Sequence, residues 1–313
     1  MPLDQIPLDA LLRWGEGLER PEDVAVGRDG RVFATDPHVG AREILADGSL
    51  KSVGETRRPG VVNGISMDLE GRILMANLGA AQRVPGPLER LDPATGAREV
   101  LLSEVDGRPL TSCNYPMVDR AGNIWCSNSV AAADFDGLAD KAPDDGFVFV
   151  LRPDGASSVV AEGIGFANGL AMSADEMSLY CCQSFHSNVI RYPVLPGARL
   201  GPGEQYGPVL GGVRRPGEPI ADRRSLGYPD GCAFDVEGNL WVTLFWAHKV
   251  VAITPSGELV TIIDDPEETI VRSPSNVTFG GPDMKDLYIG LLEGDYVVKT
   301  RSPVAGAKLA HQV

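Results

Sequence analysis

Long apolar runs are missing from this 313-residue chain, and no stretch is long enough to span a bilayer as a helix. The opening residues, MPLDQIPLDALLRWGEG, lack a basic stretch followed by an apolar one, so no secretory signal is expected there. Cysteine is scarce. Cys113, Cys126, Cys181, Cys182 and Cys232 are odd in number, include one adjacent pair and show no CxxC spacing. That pattern argues against a disulfide framework and suits a reducing compartment, so the expected location is cytoplasmic. Positive charge is also short, with 28 Lys and Arg against 43 Asp and Glu and a net charge of -15. A surface that acidic repels phosphate backbones and anionic headgroups, so neither nucleic acid nor a membrane is an expected partner. GxSxG, HExxH and Walker sequences are absent, which removes the best-marked routes to serine hydrolysis, zinc proteolysis and nucleotide binding. The four histidines, His38, His186, His248 and His311, show no metal-site spacing. The DFDGLAD run at residues 134–140 starts like a calcium loop, but Ala139 stands where that loop needs glycine.

What the chain does have is turn formers spread over its whole length, 37 Gly and 24 Pro, as many short strands require. It also has a repeat. Segments of one pattern begin at Glu22 (EDVAVGRDGRVFATD), Asn63 (NGISMDLEGRILMAN), Asn114 (NYPMVDRAGNIWCSN), Asn168 (NGLAMSADEMSLYCCQ), Asp230 (DGCAFDVEGNLWVTL) and Asn276 (NVTFGGPDMKDLYIGL). Each opens with an acidic or amide residue. The first strand alternates apolar and small residues, as with Ile65 and Met67 around Ser66, or Leu170 and Met172 around Ala171. Small residues between the apolar ones suit strands that converge near an axis. In four copies a turn glycine follows: Gly30, Gly71, Gly122 and Gly238. The second strand is β-branched and aromatic, as at Ile124 and Trp125 or Leu240 and Trp241. A further hairpin with its own turn follows each copy, for example at LADGS after Ile44, DPATG after Leu91 and RSPVAG after Thr300. Six units of four antiparallel strands predict an all-β, six-bladed β-propeller spanning residues 1–313 as one domain. Residues 8–18 are expected to add a strand to the last blade and close the ring.

In a propeller the six inner strands run side by side around a channel and all start at one end. Glu22, Asn63, Asn114, Asn168, Asp230 and Asn276 are thereby predicted to meet as a ring of oxygens. Polar groups gathered in a dry channel need a partner, and a hard divalent cation provides one. With no His or Cys at these positions the ring favours calcium, magnesium or manganese over zinc. Calcium is the expected ion, with magnesium, manganese or zinc as alternatives. After the hairpin turn the chain returns to the same level at Asp36, Asn77, Asn128 and Gln183, which form a possible second ring for substrate contacts or another ion. His186 and His248 join that list because they fall at strand ends on the same side.

With these residues in place, the chain resembles the SMP-30/gluconolactonase family, which includes bacterial lactonases and is related to diisopropyl fluorophosphatase and the paraoxonases. The resemblance is carried by Pro21, Glu22 and Asp23, by FANGLA from Phe166, by YPDGCAFD from Tyr228 and by NVTFGGPD from Asn276. It implies a metal held by Glu22, Asn168 and Asp230, with Asn114 as a fourth ligand or a substrate contact. It also implies hydrolysis of a small lactone or related ester. The ion would polarise the carbonyl, and Asp230 would act as general base or as nucleophile. Two departures from the family stand out. Sugar-lactonases carry Arg-x-Asn-Asp-Gly where this chain has Ser112, Cys113, Asn114, Tyr115 and Pro116, and the downstream acidic position falls near Ala131–Ala133. The paraoxonase-type His is replaced by Asn63. Tyr115, Phe135 and Trp246 indicate a less polar pocket, so the expectation is a lactonase-like enzyme whose substrate is left open. Substrate contacts are expected from Asn63, Asn114, Tyr115, Asn128 and Asn276. Residues 130–146 and 196–228 exceed the blade period and are expected to form a lid. The same site would also suit a phosphotriesterase or a non-catalytic calcium-binding propeller.

Overall fold

Short strands, the inner ones buried along nearly their whole length and joined by glycine turns, organise the chain into six hairpin pairs. The computed structural model describes every residue except 1–2, 38, 55–60 and 219–221, and leaves out the side chains of 139–140. His38 therefore lies outside the described residues. The strands form six antiparallel sheets arranged as a six-bladed β-propeller. Blade 1 runs outward through Val24–Val26, Val32–Asp36, Gly40–Ile44 and Leu50–Val53. The inner strands of blades 2 to 6 are Val62–Met67, Cys113–Val118, Ala167–Met172, Pro229–Phe234 and Pro274–Gly280. Blade 4 has a divided outer edge, Arg199–Leu200 and Glu204–Tyr206.

Local chemistry explains the recurring hairpin. At the end of the inner strand in blades 2, 3 and 5, Asp68, Asp119 and Asp235 turn a carboxylate back onto the loop. Asp119 Oδ1 accepts from the Asn123 N–H at 2.9 Å and Asp235 Oδ1 from the Asn239 N–H at 2.9 Å. The second oxygen takes the indole N–H of the next strand, Trp125 at 2.9 Å and Trp241 at 3.0 Å. These two indoles are fully buried between blades, so one carboxylate ties the turn to the core.

Convergence at the axis leaves no room for side chains on alternate inner positions. A Cβ at Gly231 would lie 2.2 Å from Asn276 Oδ1 and 2.6 Å from Ser275 O, and one at Gly290 would lie 2.1 Å from Glu22 O.

The ring closes through the N-terminal strand. Leu12–Trp14 pairs with Val297–Arg301, matching Leu12 to Lys299 and Trp14 to Val297, within the stretch expected to supply that strand. The turn expected after Thr300 does not form a fourth strand of blade 6, because that place is already taken. Instead the C-terminal segment crosses the far end of the channel. Val236 N–H donates to Ala305 O at 2.9 Å, Ala307 N–H to Phe234 O at 2.9 Å, and Gln312 Nε2 to Val26 O at 3.1 Å.

Candidate metal centre

The hairpin register shifts at the positions that matter. Pairing slips between Val62 and Ile65, Cys113 and Pro116, Ala167 and Leu170, and Pro229 and Cys232. Asn63, Asn114, Asn168 and Asp230 each lie inside such a bulge, which turns a side chain out of the ladder and into the channel. The bulge leaves a backbone N–H without a ladder partner. In three blades a hydroxyl twelve residues on takes it up: Thr35 Oγ1 from Asp23 at 3.1 Å, Ser127 Oγ from Tyr115 at 3.1 Å and Thr243 Oγ1 from Gly231 at 3.0 Å.

Glu22, Asn114, Asn168, Asp230 and Asn276 line one small space of about 10 Å³, roughly the room of a single small ion or water. The amides around it do not all do the same thing. Asn114 Nδ2 donates to Ser129 Oγ at 3.0 Å and Asn168 Nδ2 to Ser184 Oγ at 3.1 Å, and the Ser184 hydroxyl is held by Pro229 O at 2.7 Å. Asn168 also hydrogen-bonds the Asp230 carboxylate. Asn63 is committed on both sides, giving Nδ2 to Glu22 Oε1 at 2.6 Å and accepting from Arg20 Nη2 at 3.0 Å. Asn276 is likewise engaged, with Nδ2 on Asp23 Oδ1 and Oδ1 accepting the Val277 N–H at 2.9 Å. The ring amides thus fall into two kinds, Asn114 and Asn168 bonded to serine hydroxyls and Asn63 and Asn276 bonded to buried acids.

Burial dominates the electrostatics. It pushes the Glu22 carboxyl up to about 7, against the opposing pull of Arg20, whose Nη1 lies 3.2 Å from Glu22 Oε2. Burial, reinforced by the charge of Glu22, raises Asp230 well above the usual carboxylate range. Asp23, buried beside them, is pushed up to about 8 even though it accepts hydrogen bonds from Ile65 N–H at 2.7 Å, Val24 N–H at 2.7 Å and Asn276. Two buried acids held close together without a full counter-charge are what a divalent cation relieves. Among the described residues no cluster of three or more His, Cys, Asp or Glu is placed to share an ion, so an ion here must draw on amide oxygen.

The residues of the expected second ring are placed differently. They do return to the mouth level, with Asn77 opposite Val62, Asn128 opposite Cys113 and Gln183 opposite Ala167. Their side chains, however, satisfy backbone and neighbours within the blades. Asn128 accepts the Ser112 N–H at 3.0 Å and donates to Val130 O at 2.7 Å. Gln183 accepts the Gly165 N–H at 2.9 Å and donates to Asn188. Asn77 donates to Pro87 O and Glu89, and Asp36 pairs with Arg42 Nε at 2.6 Å. The next residue along, Ser129 or Ser184, is the one that reaches the ring. His186 sits at the surface on Asp144 at 2.8 Å, while His248 accepts the Ser273 N–H and faces Glu268 at 3.2 Å; neither lines the ring cavity. Tyr115 is a floor rather than a rim group, since it lines both the ring cavity and a second space beneath it that the C-terminal residues close. Arg20, Asp23, Ser129, Ser184 and Thr243 had no mark in the repeat, although Ser129 and Ser184 do share one register position.

Residues 63–292 match the family described as SMP-30/Gluconolactonase/LRE-like region, and residues 8–37 match a strictosidine synthase-like N-terminal region. The chain belongs to the SMP-30/gluconolactonase/LRE-like family. It is 24% identical to a pentonolactonase of Haloferax volcanii over 92% of this chain and 84% of that protein. It is 27% identical to a gluconolactonase of Zymomonas mobilis over 72% of this chain and 60% of that protein. A gluconolactonase structure from Xanthomonas campestris superposes with TM-score 0.72 at 23% identity, covering 96% of this chain and 94% of that one. A structure titled as the calcium-binding protein regucalcin from Agrobacterium tumefaciens superposes with TM-score 0.70 at 17% identity, covering 93% of each chain. These two structures speak to the fold. Relatives named as lactonases support an enzymatic role for the chain.

Proposed function

We propose that the protein is a metal-dependent hydrolase that opens a lactone or a closely related ester. The observation that carries this reading is the division of the ring. Glu22, Asn114, Asn168 and Asp230 line one small space, with Asn114 and Asn168 bonded to Ser129 and Ser184 and Glu22 bonded to Asn63. These four residues would hold one divalent ion, with calcium best suited to the all-oxygen donor set. When bound, the ion supplies Lewis-acid stabilisation of a carbonyl oxygen as negative charge develops on it.

The remaining work falls to the chain itself. Asp230, buried and with its carboxylate proton affinity raised, takes the proton of the attacking water. Ser129 and Ser184 hold Asn114 and Asn168 in place as ligands of that ion. Asn63 and Arg20 fix the rotamer of Glu22 through both of its oxygens.

The test is a panel of lactones, aryl esters and organophosphates assayed in chelator and after return of calcium, magnesium, manganese or zinc. Lactone turnover that vanishes in chelator, returns with one ion, and is lost in Asp230→Asn supports the proposal. Turnover unaffected by chelator, or full activity in Asp230→Asn, refutes it. Calcium binding without hydrolysis of any compound would make the chain a binding propeller instead.

A further inference from the structure

One residue per blade stands two places ahead of the ring: Arg20, Val61, Ser112, Phe166, Tyr228 and Pro274. These positions form the rim of the channel. Three of them are left-handed, Arg20 at φ 46, Phe166 at φ 62 and Tyr228 at φ 62, although each carries a large side chain. Phe166 O accepts the Ser184 N–H and Tyr228 O accepts the Phe245 N–H, so their backbones are anchored at the strand starts.

The side chains divide the rim. Phe166 lies 5.2 Å from Phe185, which lies 5.9 Å from Tyr228, and Tyr228 stacks on Trp246 at 4.2 Å. Phe135 joins Phe166 at 6.2 Å, and Leu138 and Leu226 pack on the same cluster. Both segments that exceed the blade period therefore meet on one aromatic wall over blades 4 and 5, and Phe135, Phe166, Phe245 and Trp246 in it are only partly buried. Across the axis, on blade 1, stands Arg20, bonded to Glu22 and Asn63 with 29% of its side chain exposed. Nearby acids are already paired, Asp144 with His186 and Glu268 with Arg224. The Ser112 hydroxyl is fully buried and has no hydrogen-bond partner among the described residues.

A substrate covered in hydroxyls would lose its water against this aromatic wall and recover few hydrogen bonds. We propose that the mouth selects a lactone or ester with an aromatic body and one anionic group. Arg20 takes the anion and the Phe166–Tyr228 wall takes the ring. This rests on the hydrolase reading above and names its substrate class. Guanidinium–carboxylate pairing gives the discrimination its sign, and the aryl stacking adds affinity that a sugar lactone lacks.

The experiment compares phenylparaconate, a γ-butyrolactone bearing one phenyl and one carboxylate, with its methyl ester and with gluconolactone. In the wild type kcat/KM for the acid exceeds that for the methyl ester by about tenfold or more, as expected for one charge-assisted contact. In Arg20→Gln and in Arg20→Gly, which also relieves the left-handed backbone, that ratio falls to about one; Arg20→Lys keeps part of it. Binding of the ring-opened diacid to metal-free protein, read by tryptophan quenching, weakens about tenfold in the same variants. A ratio unchanged by the Arg20 variants, or a wild-type preference for gluconolactone, overturns the inference while leaving the hydrolase reading intact. Arg20-dependent diacid binding without hydrolysis of any lactone supports the mouth and sinks the hydrolase reading.

Discussion

His311 offers a sharp test of how the C-terminal segment is held. Its Nε2 lies 3.2 Å from Val26 O, and burial, with a smaller push from Arg28, lowers its pKa from 6.5 to about 4. The folded state therefore holds the neutral ring, and the unfolded chain binds the proton more readily. Stability contributed by this site is complete above the unfolded value of about 6.5 and is lost as pH falls toward 4. A shift from 6.5 to about 4 amounts to about 3 kcal/mol when complete, and about 2 kcal/mol of it is already lost at pH 5. Carboxylates titrate over part of the same window, so the comparison must be a difference. Urea midpoints of wild type and His311→Gln at pH 7.5 and pH 5 isolate the term, because glutamine keeps a donor but cannot titrate. The wild type should lose about 2 kcal/mol more than the variant between the two pH values. Carboxypeptidase digestion at pH 5 should release C-terminal residues faster from the wild type. Equal pH dependence of the two proteins in both assays would refute the reasoning.

Three further outcomes follow from the geometry of the ring. Gly231→Ala places a methyl 2.2 Å from Asn276 Oδ1 and 2.6 Å from Ser275 O, and should destabilise the fold by about 3 kcal/mol or prevent soluble expression, measured by urea melts. Ser129→Ala and Ser184→Ala release the amides of Asn114 and Asn168, so each should weaken calcium binding by about tenfold in titration calorimetry, whereas Ser112→Ala should not. Asp230→Asn cannot ionise beside Glu22, so in chelator its urea midpoint should exceed that of the wild type at alkaline pH, where both acids carry charge, even as it abolishes metal-dependent turnover. A lower urea midpoint for that variant in chelator would show that the two acids do not repel.

The repeat made the blades legible because each inner strand carries its own turn glycine and alternation, and those signals are local. The axial meeting of Glu22, Asn114, Asn168 and Asp230 followed from topology alone. The bulges were not legible, since an extra residue in a hairpin leaves no mark in a period-two pattern until the partner strand is known. For that reason Asn128 and Gln183 looked like ring residues, while Ser129 and Ser184, one place further on, are the ones in contact with Asn114 and Asn168. Arg20 escaped notice because its role depends on a left-handed backbone at a position where sequence suggests only a loop. The path after Thr300 was misjudged because its turn residues are sound, and only the prior occupation of the blade edge by Leu12–Trp14 diverts it.

That closing strand has a bearing on biosynthesis. Thr300 Oγ1 bonds Ala10 O across 290 residues of sequence, and no earlier blade can substitute for the pairing of Leu12–Trp14 with Val297–Arg301. A chain leaving the ribosome can assemble blades 1 to 5 from neighbouring residues as they appear. Blade 6 has to wait for both ends, a long-range closure of the kind that slows folding. Glu22 lies just past the closing strand, next to the seam where Ser275 and Asn276 of blade 6 reach Glu22 and Asp23. The ring is therefore completed only once Val297–Arg301 has been made, and a chain cut short before it has five blades with an unfinished centre.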